Sequence, residues 1–249
     1  FLQPMGYEII DQLNLKASDA VLDIAGGTGE PGLTIASIVK NGKVIITDLA
    51  EEMLAIAAEN ATRKNITNVE TQVCDVCELP FADNSFDAIS CRFGYMFFPD
   101  LLLATQEMAR VLKPGGRIAV SVWGPPEKNF WVTAVGGTIN QNMQLDPPPP
   151  GAPGMFRCAE PEMIQGLFKA AGLKQTGEKE VNSSLNLEST EVYWNMMTEV
   201  AAPFVAALSK ADAEMKTKIK GEVFQKIEEK MGIDTVSLNG NARVIYGVK

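Results

Sequence analysis

The residues of this chain that could do chemistry are carboxylates placed at the ends of short apolar runs, with a glycine loop among them. Residues 21–32 read VLDIAGGTGEPG. An apolar run leads into Gly26, Gly27, Thr28 and Gly29, and Pro31 stands where a helix would open. Glycines let the backbone approach a ligand closely and take up positive φ. A helix N-terminus presents unpaired N–H groups and partial positive charge. The combination suits a carboxylate as well as a phosphate. Gly27, Gly29 and Gly32 satisfy the dinucleotide pattern G-x-G-x-x-G. Asp48 ends the next apolar run, where a ribose-binding acid belongs. On these residues alone a nicotinamide-dependent (NAD) oxidoreductase stands beside other nucleoside-binding enzymes, and a glycine turn with no ligand stands beside both.

Two further acids narrow the reading. Asp23 lies inside the first run, just ahead of the turn, where a carboxylate organises loop N–H groups or meets a bound ammonium. Its plainest role is to satisfy turn amides. Asp75, with Val76, follows the third run, and a second acid at a strand end suits the amino group of an adenine.

Holding these groups together takes a sheet. Residues 20–25, 43–48, 69–74, 86–91 and 117–123 read as strands separated by helical patterns. Near-continuous apolar strands of this kind indicate a parallel sheet covered on both faces. Residues 50–64 read as a helix, with Glu51 and Glu52 in its first turn and Arg63 and Lys64 in its last, which suits the helix dipole. Residues 99–113 put Leu101, Thr105, Met108 and Leu112 on one face, and Gly115-Gly116 is read as the stop. From 124 to 160 the style changes: proline and glycine are frequent, including the run 147–150, and periodicity is too weak for a packed element. Long excursions of this type often serve as lids. Residues 160–172, 190–208 and 212–231 read as helices, 175–187 as extended and 242–248 as a last strand.

The chain has 249 residues, long for one minimal domain and short for two, so a single α/β domain with insertions is expected over 1–249. A formal net charge of −9, with no dense Lys/Arg run, argues against nucleic acid or an anionic membrane as partner. No apolar run reaches spanning length and no leader is visible, so a cytoplasmic protein is expected. Cys74 and Cys77 make a CxxC spacing. The chain has no histidine and its other cysteines, Cys91 and Cys158, are isolated, so no metal is expected and all four are read as buried small hydrophobes.

Taken in order, VLDIAGGTGEPGL, the DLAEEML segment from Asp48, ELPFADNSFDAI and RVLKPGGR resemble the class I methyltransferases that use S-adenosylmethionine (SAM), and among them the UbiE-like group, which includes quinone-ring C-methyltransferases. The likeness covers about residues 1–123. It implies a Rossmann-like α/β fold with a seven-stranded, mostly parallel sheet in the order 3-2-1-4-5-7-6, helices on both faces and a lid insertion. It implies SAM as cofactor and S-adenosylhomocysteine as product. Thr28 and the Gly27–Gly29 loop would face the methionine part. Asp48 would bind the ribose hydroxyls, Leu49 and Met53 would pack near the adenosine, and Asp75 and Val76 would contact adenine. Arg92 stands where the family contacts the cofactor. Ala25 occupies a position where many class I members have glycine.

The resemblance fades after residue 92 and again after 123, where the acceptor is bound, so a quinone acceptor is not carried over. A small-molecule acceptor is expected, with residues 124–160 and 188–240 as the lid. Scaffold or a homodimer contact is the competing reading of those segments. Phe93, Tyr95, Met96, Trp123, Phe130, Trp131, Met155, Phe156, Tyr193, Trp194 and Met197 fall where such enzymes build the acceptor pocket, and core packing claims about half of them. Tyr95, Asp100, Glu127, Asp146 and Tyr193 are polar groups within the same regions. None ranks above the others as a base, so the catalytic residue is left unassigned.

Overall fold

The computed structural model describes residues 1–146, 149–231 and 236–249. Its elements, in order, are α1 (Gln3–Leu13), β1 (Ala20–Ile24), α2 (Gly32–Ile38), β2 (Lys43–Asp48), α3 (Glu51–Arg63), β3 (Val69–Val73), β4 (Phe86–Arg92), α4 (Leu101–Val111), β5 (Leu112–Trp123), α5 (Phe130–Met143), α6 (Met163–Ala170), β6 (Lys174–Leu187), α7 (Thr190–Val200), α8 (Ala202–Leu208), α9 (Ala213–Met231) and β7 (Val236–Val248). The sheet has seven strands in the order β3-β2-β1-β4-β5-β7-β6. β1 pairs parallel with β2 and β4, β2 with β3, and β4 with β5, whereas β7 runs antiparallel to β5. This is the fold expected from the sequence.

Strand order reverses between β1 and β4, so right-handed crossovers put the helices before and after that point on opposite faces. One face is filled by Val21, Val44, Ile46, Ala88 and Ala119 against Ile9 and Leu13 of α1, Leu33 and Ile35 of α2 and Leu54 of α3. Alternate residues of the same strands point the other way. Leu22, Ile89 and Ile118 among them are fully buried.

The described residues divide into two compact units. The larger takes 2–124, 151–181 and 242–249. The smaller takes Phe1 and the described residues of 125–150 and 182–241. The segment 151–181, part of which was read as lid, therefore belongs with the larger unit. Pro147 and Pro148 of the proline run, and 232–235 of the second lid segment, lie outside the described residues.

Several sequence readings need correction. Helix α1 was not foreseen, although Met5, Ile9 and Leu13 repeat at helical spacing and are buried. The 99–113 helix ends at Val111, and Leu112 is already extended at φ −75 and ψ 135. Pro114, two residues on, lacks an N–H and disfavours the helical region at Lys113, so the helix could not have continued past this point. The 124–160 excursion holds a packed element, α5, with Val132, Val135 and Ile139 buried. Gly136-Gly137 at its centre masked the pattern. The helix read over 190–208 is two, broken at Ala201 ahead of Pro203.

Candidate functional site

The larger unit has a cavity of about 310 Å³ at the carboxyl ends of its parallel strands. Ile24 and Ala25 line it from β1, Thr47, Asp48 and Leu49 from β2, Cys74, Asp75 and Val76 from the end of β3, and Phe93 and Gly94 from the end of β4. Phe97 to Pro99 complete the wall.

Asp23 forms the foundation. Its side chain is fully buried under the glycine loop. Oδ2 accepts the Gly32 N–H at 2.9 Å and Oδ1 accepts the Ser90 hydroxyl at 2.6 Å, which ties the start of α2 to β1 and β4. The loop lies directly on it. A Cβ at Gly26 would fall 2.5 Å from Ile46 Cγ2 and 2.9 Å from Asp23 Oδ2, and one at Gly32 would fall 2.8 Å from both Asp23 and Ile46, so a side chain at either position would force Ile46 or Asp23 to move. Burial pushes the Asp23 carboxyl from 3.8 up to about 7, working against the bonds from Ser90 and Gly32 and the charge of Arg92, with Glu30 adding to the rise.

Asp48 is half-buried and does two jobs. Oδ2 accepts the Gly27 N–H at 3.0 Å and Oδ1 accepts the Ala50 N–H at 3.0 Å. The same carboxylate thus fastens the loop and opens the helix after β2, and it faces the cavity with its remaining lone pairs. Asp75 is exposed at the rim, with Oδ1 accepting the Cys77 N–H at 2.8 Å, while Val76 is buried beside it.

Backbone strain collects at this site. Ala25 sits at φ 52 and Phe93 at φ 60, the left-handed region that L-residues other than Asn and Asp rarely occupy. At Ala25 the backbone holds a conformation that glycine would adopt without strain. Phe93 is held by stacking on Trp123, with ring centroids 4.1 Å apart and planes at 16°. Strain of this kind clusters at ligand sites.

Of the sequence-derived residues, Ala25, Asp48, Leu49, Asp75 and Val76 share the cavity, with Asp23 beneath it. Gly27, Thr28 and Gly29 form the loop, where the Thr28 carbonyl accepts from Asn60 Nδ2 at 2.9 Å. Met53 lies on α3 at 45% exposure and does not line the cavity. Arg92 does not line it either and faces a second cavity beside α1. Thr47, Cys74 and Phe97 to Pro99 were missed. For Cys74 the signal was its place between β3 and Asp75.

The cysteine reading needs amending: Cys91 and Cys158 are buried, but Cys74 and Cys77 are half-buried. Burial is the largest influence raising both of these thiols, so they stay protonated and weakly nucleophilic. Among the described residues no group of three or more His, Cys, Asp and Glu is placed to hold a metal ion.

The expected acceptor-pocket residues separate. Tyr95 and Met96 are core, with the Tyr95 hydroxyl bonded to Thr105. In the smaller unit Tyr193, Trp194 and Met197 are buried, and the Tyr193 hydroxyl donates to the Trp131 carbonyl at 2.7 Å. Phe130 lies under the Lys230 ammonium at 3.9 Å. Asp100 caps α4 by accepting the Leu103 N–H at 2.9 Å, and Glu127 and Asp146 are exposed.

Comparison with known proteins fits this geometry. A family model described as a methyltransferase domain matches residues 21–116. The chain is 39% identical over 123 residues to the ubiquinone/menaquinone biosynthesis C-methyltransferase UbiE of Cellvibrio japonicus, a match covering 49% of each chain. It is 33% identical over 168 residues to the demethylmenaquinone methyltransferase of Thermus thermophilus, covering 63% of this chain and 75% of that one. The chain thus spans about half the length of most of the curated relatives it matches. The crystal structure of the YcgJ protein from Bacillus subtilis shares the fold at a TM-score of 0.64, with 23% identity over 100% of this chain and 99% of that one.

Proposed function

The chain belongs to the SAM-dependent methyltransferases of class I, and from that premise we propose that it moves a methyl group from SAM to a small, apolar or aromatic acceptor by in-line displacement. The observation that carries this reading is that Asp48, Asp75 and the strained Ala25 and Phe93 all bear on one cavity at the carboxyl ends of parallel strands.

The residues present fit the cofactor. Asp48 would accept the ribose hydroxyls with the lone pairs that Gly27 and Ala50 leave open. Asp75 and Val76 would meet the adenine, Leu49 would flank the adenosine, and the Gly27–Gly29 loop would take the methionine end. When bound, SAM supplies a methyl group made electrophilic by its sulfonium.

The chain's own work is then alignment and exclusion of water. With no histidine in the sequence, an imidazole base is ruled out. Tyr95 and Tyr193 spend their hydroxyls on internal bonds and Asp100 caps α4 with one carboxylate oxygen, so the reading assigns no base and favours acceptors that need little help in losing a proton. Of the curated relatives, one is named for ubiquinone/menaquinone biosynthesis and one as a demethylmenaquinone methyltransferase, which makes a quinol ring one acceptor to try. We carry residues 124–160 and 188–240 as the acceptor lid. Hydrogen exchange tests this: SAM plus acceptor should protect these segments, and protection confined to the glycine loop, Asp48 and Asp75 would leave them as scaffold.

The deciding experiment is a screen of phenols, quinols, amines and small carboxylic acids with methyl-labelled SAM, paired with calorimetry. Label transfer to any of them supports the reading. SAM binding without transfer would leave a SAM-binding protein. Binding of NADH and not of SAM would overturn the cofactor assignment.

A further inference from the structure

Phe97, Phe98 and Pro99, which wall the cavity that holds Asp48 and Asp75, are secured by a segment far along the chain. Tyr95–Phe97 is a single 3-10 turn. The Phe97 N–H closes it on the Gly94 carbonyl at 2.9 Å, and the Phe98 N–H on the Tyr95 carbonyl at 3.2 Å. So short a turn leaves the carbonyls that follow without partners of their own. Residues 154–157 supply them. The Gly154 N–H donates to the Met96 carbonyl at 3.2 Å. The Arg157 guanidinium donates through Nη1 to the Phe98 carbonyl and through Nη2 to the Pro99 carbonyl at 3.4 Å. Both Arg157 bonds go to the main chain, so they fix where the wall runs whatever side chains it carries.

The segment that carries Arg157 is itself rooted in the sheet. Cys158 and Ala159, next along, are buried. The Ala159 carbonyl accepts from Arg243 Nη1 at 2.6 Å. Arg243 stands on β7 opposite Val122 of β5, and its Nε lies 3.3 Å from Glu178 Oε1 of β6. The end of the 124–160 segment thus acts as a brace between the sheet and the cavity wall.

The braced wall is apolar and open to a ligand. Phe97 remains 51% exposed although it lines the cavity. At its far end the Asp100 carbonyl accepts the Cys77 thiol at 3.8 Å, and the Cys77 N–H is the one that Asp75 holds. The wall therefore meets the turn that carries Asp75 and Val76.

We propose that Arg157 is a positioning residue for the base of the bound nucleoside: by holding the Phe98 and Pro99 carbonyls it keeps in place the wall against which the base lies as its amino group meets Asp75. This rests on the cofactor reading given above.

Calorimetry tests it with S-adenosylhomocysteine and S-inosylhomocysteine, which carries a 6-oxo group in place of the 6-amino group. Wild type should bind the adenine ligand the more tightly. A hydrogen bond from the amino group to Asp75 is directional, whereas contact with an apolar wall is not. A displaced wall therefore costs the adenine ligand a bond that the 6-oxo ligand does not have. Arg157→Gln is expected to lose roughly tenfold or more in affinity for S-adenosylhomocysteine and to hold S-inosylhomocysteine within about twofold, so that base selectivity narrows. Equal weakening of both ligands would make Arg157 a support of the whole cavity and overturn the proposal. Unchanged S-adenosylhomocysteine binding would overturn it too, as would a wild type that does not tell the two bases apart. Should Arg157→Gln fail to fold, Arg157→Lys, which keeps the charge and one donor group, carries the same comparison, and no selective loss in it overturns the proposal. A wild type that binds neither ligand overturns the cofactor reading, and this proposal with it, a result distinct from the others.

Discussion

Replacing Asp23 by Asn should stabilise the protein progressively as pH rises from 5 to 8. The Asp23 carboxyl titrates near 3.8 when exposed and near 7 when folded. Below 3.8 it is protonated in both states and costs nothing. Between these values the unfolded chain ionises and the folded chain does not, so rising pH favours unfolding; above about 7 both are ionised and the cost is complete. From pH 5 to the folded value is a span of about two on the pH scale, worth about 3 kcal/mol. Asn carries no such dependence. It also keeps the local bonding, since its carbonyl accepts the Gly32 N–H while its amide donates to the Ser90 hydroxyl, which turns from donor to acceptor. Any fixed difference in those bonds cancels when the variant is compared with wild type at both pH values. The assay is urea unfolding followed by far-UV circular dichroism, with the free-energy difference between the two proteins taken at pH 5 and at pH 8. It should grow by about 3 kcal/mol in favour of the variant. A difference flat to within about 0.5 kcal/mol, or one that shrinks, would mean that Asp23 does not titrate across this range, and the desolvation argument would fall.

Asp48→Ala should weaken SAM binding by about 1.5–3 kcal/mol through loss of charge-assisted ribose bonds, and unchanged affinity in calorimetry would remove Asp48 from the site. It should also lower the unfolding midpoint, because the Gly27 and Ala50 N–H groups lose their acceptor. Gly26→Ala should cost about 1–3 kcal/mol in urea unfolding, since the methyl must displace Ile46 or Asp23; a neutral variant would show that the loop lifts off freely. In the smaller unit, Asn129 is fully buried, receives the Asn241 N–H at 2.9 Å and donates to the Asn241 carbonyl at 3.0 Å. Asn129→Ala should destabilise that unit by about 2–3 kcal/mol, read by hydrogen exchange of its amides, and an exchange pattern like the wild type's would mean that water replaces the side chain.

The cofactor half of the site was legible because it depends on local, directional requirements. A turn that lies on Asp23 favours glycine at 26 and 32, and strand ends expose one acid each at 48 and 75, so chemistry and sequence position coincide. The second cavity was not legible. Arg92 was marked as a cofactor contact, but its neighbours Gln3 and Tyr7 lie about ninety residues away on a helix whose apolar repeat was overlooked. The segments after Trp123 were harder still. In α5 a central Gly-Gly pair hides a buried stripe, and in α7 and α8 a proline divides what periodicity alone joins. These elements are fixed by packing partners distant in sequence, which residue spacing does not report.

The glycine loop is fastened before any ligand arrives, at Gly32 by Asp23 and at Gly27 by Asp48. The entropy of ordering those backbone segments is therefore settled during folding, and association does not have to supply it. A nucleoside meeting such a loop need not wait for it to close. Its capture should follow a single kinetic phase, linear in concentration, and its heat-capacity change should reflect surface covered by the ligand and not segments that fold around it. The rigid loop also narrows tolerance: an analogue altered where it touches this backbone finds no slack to exploit, whereas one altered at the exposed Asp75 rim meets water and adapts.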